Sequence, residues 1–79
     1  MDLLHLRKYT DKEFGERLQW QRESLGLDTF IAANECNLSE EEYIEYEAGK
    51  HSIYTEKLIV ALHICEFLGI YVDDLFSKY

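Results

Sequence analysis

The densest run of chemically active side chains is Ser39-Glu40-Glu41-Glu42, followed closely by Glu45 and Glu47. Carboxylates can hold calcium, but this run lacks the alternating twelve-residue ligand frame of a calcium loop. The three histidines, His5, His51 and His63, lie far apart, and neither a His-Glu-x-x-His nor a Cys-x-x-Cys motif occurs. Cys65 follows His63 by two residues, a spacing that turns the two side chains to different faces of a helix. A zinc site would need Cys36, Cys65 and a histidine to converge from distant positions. Asp73-Asp74 suits a helix cap better than an acid–base pair, because it sits near the chain's end without further ligands around it. No enzyme activity, metal or cofactor is expected.

These residues must be positioned by a small frame. The 79 residues are 47% hydrophobic and 14% aromatic, which fits one small domain with a compact core rather than a disordered chain. There is no proline, and four glycines are too few for a phosphate-cradling loop. No apolar run long enough to span a membrane occurs, and the start lacks a secretory signal, so a cytoplasmic location is expected. Charge is segregated. Residues 1–26 balance five basic against five acidic side chains, and residues 50–79 come to −1. Residues 27–49 hold seven acidic and no basic residues, so nearly all of the net −8 belongs to the middle.

Spacing predicts an all-α fold of four or five short helices. The first runs from Asp11 or Lys12 to Leu25, capped by Asp11, with Phe14, Leu18, Gln21 or Arg22, and Leu25 facing inward and Gly26 as the stop. Asp28 caps a second helix, Thr29 to Glu35, which buries Ile31 or Ala32 together with Cys36. Asn37 suits the left-handed position after it. Ser39 and Glu42 form a capping-box pattern for a third helix that buries Tyr43 and Tyr46 or Glu47 and closes at Gly49. A fourth spans Thr55 to Leu68, with Leu58, Ala61, Leu62, Cys65 and Leu68 as its buried stripe and Ile59, Ile64 and Phe67 widening it. Residues 70–76 read as a fifth short helix capped near Asp73, in preference to a strand-like extension. Residues 1–10 read as an N-terminal extension, whose Leu3-Leu4-His5-Leu6 is expected to pack on the core, and 11–79 as the domain proper.

Helices two and three joined by a tight turn make a helix-turn-helix. Gly15, Leu18, Arg22, Glu23, Gly26 and Leu27, then Ala33, Asn37-Leu38-Ser39, Tyr43 and Glu47-Ala48-Gly49, resemble the Cro and lambda-repressor-like (XRE-type) helix-turn-helix domains. Ile64 to Ile70 and Asp74-Leu75-Phe76 resemble the end of that pattern. The resemblance implies a compact lambda-repressor-like bundle held by a partly buried pair between Arg22 and Glu47. It also implies a phage or mobile-element regulator whose third helix enters the major groove. The DNA contacts would then fall on Thr29, Ser39, Glu40, Lys50 and His51, and on further residues of helix three.

The charges point elsewhere. A helix offering Glu40, Glu41, Glu42 and Glu45 brings anions toward a polyanion, with no lysine or arginine between Leu27 and Gly49 to neutralise phosphates. The expected function is therefore a small regulatory protein acting mainly through protein contacts of an acidic face, Glu40, Glu41, Glu42, Ile44 and Glu45. Its partner would be a basic or DNA-binding protein; the alternative is a DNA-binding transcriptional regulator of the Cro or repressor type. DNA is disfavoured as a partner on this count, and no membrane contact is expected. Tyr71, Phe76 and Tyr79 suit either a homodimer or packing within the chain.

Overall fold

A computed structural model describes residues 6–77. Its helices are α1 (Asp11–Ser24), α2 (Thr29–Glu35), α3 (Glu40–Glu47) and α4 (Leu58–Leu68), with 3-10 turns at Ile53–Thr55 and Val72–Leu75. The all-α bundle is thus present, and each boundary has a local cause. Thr10 starts α1: its hydroxyl accepts from the Glu13 amide at 3.0 Å, while the Glu13 carboxylate accepts from the Thr10 amide at 2.8 Å. The cap is therefore Thr10 rather than Asp11, which is already helical. Asp28 caps α2 through the Ile31 amide at 2.8 Å. Asn37 stands at φ 59°, the left-handed turn between α2 and α3. Ser39 caps α3 by accepting from the Glu42 amide at 3.1 Å and donating to its carboxylate at 3.1 Å.

The core is built from Phe14 and Leu18 of α1, Ala32, Ala33 and Cys36 around α2, Tyr43 and Tyr46 of α3, Ile64 and Cys65 of α4, and Ile53 and Leu75 from the 3-10 turns. Ala32, rather than Ile31, supplies the inward position of α2. Leu25 is exposed because α1 ends at Ser24 and the chain turns outward toward Gly26, at φ 69°. The fourth helix starts at Leu58, not Thr55: Glu56 and Lys57 are extended, and no side chain caps the helix. Its inward stripe is Ala61, Ile64 and Cys65, which leaves Leu58, Ile59 and Leu62 in the open. The tail forms a 3-10 turn whose Asp74 carboxylate accepts from the Tyr71 amide at 2.8 Å.

The two ends of the described chain meet. Lys8 donates its amide to the Leu75 carbonyl at 3.0 Å, and Ser77 donates to Leu6 at 2.6 Å. The Tyr54 hydroxyl joins them by accepting from the Tyr9 amide at 3.0 Å and donating to the Leu75 carbonyl at 2.6 Å. Leu3, Leu4, His5 and Tyr79 lie outside the described residues.

Burial pushes the Cys36 thiol up to about 12, with Glu35 adding to it, and the Cys65 thiol up to about 11, with Asp74 adding to it. Both are free and buried, so they serve as small apolar core residues rather than nucleophiles.

Candidate nucleic-acid interface

The third helix is held by α1 on one side and α2 on the other. Gly15 makes the α1 contact feasible. A Cβ there would stand 2.5 Å from the carbonyl oxygens of Tyr46 and Glu47, so only glycine admits this approach. Beside it, Arg22 Nε donates to Glu47 Oε2 at 2.7 Å and its Nη2 to Oε1 at 3.1 Å, while Nη1 reaches the Leu27 carbonyl at 3.2 Å. The pair is bidentate, and its side chains are only 17% and 12% exposed. The Glu47 hydrogen bond raises the Arg22 pKa further. One side chain thus fastens the end of α1 to the end of α3 and to the segment entering α2.

The inner side of α3 is fixed by Tyr43 and Tyr46, both fully buried. The Tyr43 ring meets Phe67 edge-on, with centroids 6.5 Å apart. Burial pushes both phenols up, with the nearby Glu47 and Glu56 carboxylates adding to it, so both stay neutral. At 3.6 residues per turn, the positions opposite these tyrosines are Glu41, Glu45 and Ala48, flanked by Ile44. Ile44 is 47% exposed and is not a core residue. Glu40, Glu41, Ile44, Glu45 and Lys50 line one shallow concavity.

The four carboxylates of this side are not equivalent. Glu40 accepts from the Thr29 hydroxyl at 2.6 Å, which ties the first residue of α2 to the first of α3. Glu42 is engaged by its own cap, Ser39. Glu45 Oε2 lies 3.2 Å from His51 Nε2, and His51 in turn packs beside Tyr46, with ring centroids 5.2 Å apart. Glu41 has no such partner among the described residues.

Two cations flank the helix's C-terminal end. Gly49, at φ 75°, faces the Lys12 backbone so closely that a Cβ would stand 3.1 Å from the Lys12 Cα, which sets Lys50 near the start of α1. Sequence spacing held no signal for this meeting of residues 37 positions apart. Arg17 lies elsewhere, in a groove with Tyr9, Glu13 and the 70% exposed Trp20.

The sequence matches no protein-family model and no curated protein. The fold is found among solved structures. The restriction-modification controller protein C.AhdI from Aeromonas hydrophila shares 26% identity over 84% of this chain and 96% of that one, with a TM-score of 0.65. ComR from Streptococcus suis shares 28% identity over 90% of this chain but only 22% of its own, with a TM-score of 0.67. The clp gene regulator ClgR from C. glutamicum, at 21% identity and a TM-score of 0.64, covers 85% of this chain and 83% of that one. The chain has the fold of helix-turn-helix transcriptional regulators.

That likeness corrects the expectation about partners. A basic or DNA-binding protein, with DNA disfavoured, is what charge counting favours. The fold is instead that of proteins that are themselves a controller and a gene regulator. The physical reason for the error is that net charge sets the long-range field of a helix but not which helix the fold mounts outward. Glu40 and Glu42 accept hydrogen bonds from hydroxyls and Glu45 lies beside an imidazole, contacts that orient these carboxylates without removing their charge.

Proposed function

We propose that this protein is a small DNA-binding transcriptional regulator that sets the outer side of α3 in the major groove of duplex DNA. The observation that carries the reading is the way α3 is mounted. Its inner side is locked by Gly15, Tyr43, Tyr46 and the Arg22–Glu47 pair, while Glu41, Ile44 and Glu45 project on a rigid, unobstructed ridge. A groove-reading helix needs that combination, because misplacement by an ångström breaks base contacts. The likeness to a restriction-modification controller and a clp gene regulator supports the same reading.

Thr29 at the start of α2 and Ser39 at the start of α3 bring backbone amides toward one phosphate strand, their hydroxyls being already donated to Glu40 and Glu42. Lys50 and Lys12 at the far end of α3 supply charge toward the other. So few cations give weak non-specific binding. Two neutralised phosphates predict a slope of log affinity against log salt of about −2, far shallower than for a strongly basic reader. The acidic surface keeps the protein off arbitrary DNA, so occupancy depends on base contacts.

Titration of labelled duplexes recovered from a random-sequence selection, followed by fluorescence anisotropy at several salt concentrations, tests this. Saturable binding with a shallow salt slope is expected. No saturable binding of any duplex, even at low salt, would overturn the reading.

A further inference from the structure

The outer ridge of α3 holds acceptors and apolar groups but no lysine, arginine, asparagine or glutamine: its side chains are Glu41, Ile44, Glu45 and Ala48. What such a ridge can recognise follows from the base edges of the major groove. Guanine presents two acceptors there, and thymine one acceptor beside a methyl group. Adenine presents a donor with an acceptor next to it. Cytosine alone offers an amino donor with no neighbouring acceptor on its own edge. A carboxylate is repelled by guanine N7 and O6 and by thymine O4, and on adenine it gains one hydrogen bond while facing the N7 lone pair. On cytosine it gains the bond with no acceptor of the same base to oppose it.

Among the carboxylates of α3, Glu41 is the one placed to use this. It lies opposite the buried Tyr43 and Tyr46, it is exposed, and no described side chain engages it, whereas Glu40, Glu42 and Glu45 have Thr29, Ser39 and His51. We infer that Glu41 is a specificity-determining residue that selects cytosine at one position of the DNA site by accepting a hydrogen bond from its exocyclic amino group. This rests on the reading of α3 as the groove-entering helix. It turns the acidity of that helix from an obstacle into the means of recognition: a poor phosphate binder that discriminates by acceptors.

The test is a parallel selection from duplex DNA carrying a randomised central segment, with the wild-type chain and with Glu41→Gln. The substitution keeps size and shape at an exposed position, and a thermal melt checks that the variant folds like the wild type. The wild type is expected to enrich one position for cytosine, and replacing that base should weaken anisotropy-measured affinity roughly tenfold. Because a glutamine amide pairs with adenine N6 and N7, Glu41→Gln is expected to move the preference at that position from cytosine toward adenine and leave the others unchanged. If both proteins enrich the same bases at every position, the assignment of Glu41 is overturned while the DNA-binding reading stands. If the wild type enriches nothing, the DNA-binding reading itself falls, and this inference with it.

Discussion

The two sides of α3 are made of the same eight residues and answer to different constraints. Tyr43, Tyr46 and Glu47 face α1 and the core, where the two tyrosines are fully buried and a glycine has been required opposite them. Glu41, Ile44 and Glu45 face outward and contribute little that the fold needs. The contrast teaches that a side chain with no structural duty is where selection for function can be read. It also teaches that charge alone does not say what that function is.

The inner side should break hardest. Gly15→Ala forces a methyl group against two main-chain carbonyls that cannot rotate away, and truncating Arg22 to Met leaves the Glu47 carboxylate without its fork. Each is expected to cost about 2–4 kcal/mol, read as a loss in urea or thermal unfolding, because overpacking and an orphaned, mostly buried charge are both severe. If either proves neutral, α1 does not clamp α3 as described.

Caps come next. Ser39→Ala removes the acceptor for the Glu42 amide and is expected to cost about 1 kcal/mol. At the start of α1, the backbone hydrogen bond from Thr10, joined by its side-chain bond, holds the Glu13 carboxyl below the ordinary carboxylate range. A depressed folded value means that the stabilisation is present above the ordinary range and lost as pH falls through the folded value. NMR titration should show Glu13 protonating below a free glutamate, and Thr10→Ala should bring it back toward one. The smallest change in stability belongs to the outer side: Glu41→Gln should alter unfolding by less than about 0.5 kcal/mol, since it severs no contact. A large loss there would mean the ridge has a structural role after all.

This division also explains what the sequence disclosed. Local chemistry was legible: Asp28 and Ser39 as caps, Asn37 as the left-handed turn, and Tyr43 as an inward position of α3, with Tyr46 and Glu47 left as alternatives for the second, since each depends on neighbours within four residues. The inward face of α4 was legible in part: Ala61, Ile64 and Cys65 are buried as read, but Leu58, Ile59 and Leu62 were counted with them, because apolar groups surround the helix and periodicity cannot choose among them. Thr10 lost to Asp11 as the expected cap because both residues favour that position, and only the reciprocal bond to Glu13 separates them. At the candidate interface the glutamates were visible, but what engages them was not. Glu40 meets Thr29 eleven residues away, and Lys50 is brought near Lys12 by a turn at Gly49. Those meetings are tertiary, and they decide which of the carboxylates are available.

The most direct measurement is a map of backbone amide shifts in the isotope-labelled protein as a selected duplex is added. The account predicts perturbations concentrated at Thr29, Glu41, Ile44, Glu45 and Lys50, with the exposed α4 side chains Leu58, Ile59 and Leu62 silent. Shifts gathered on α4 or around Trp20, with α3 unmoved, would contradict it.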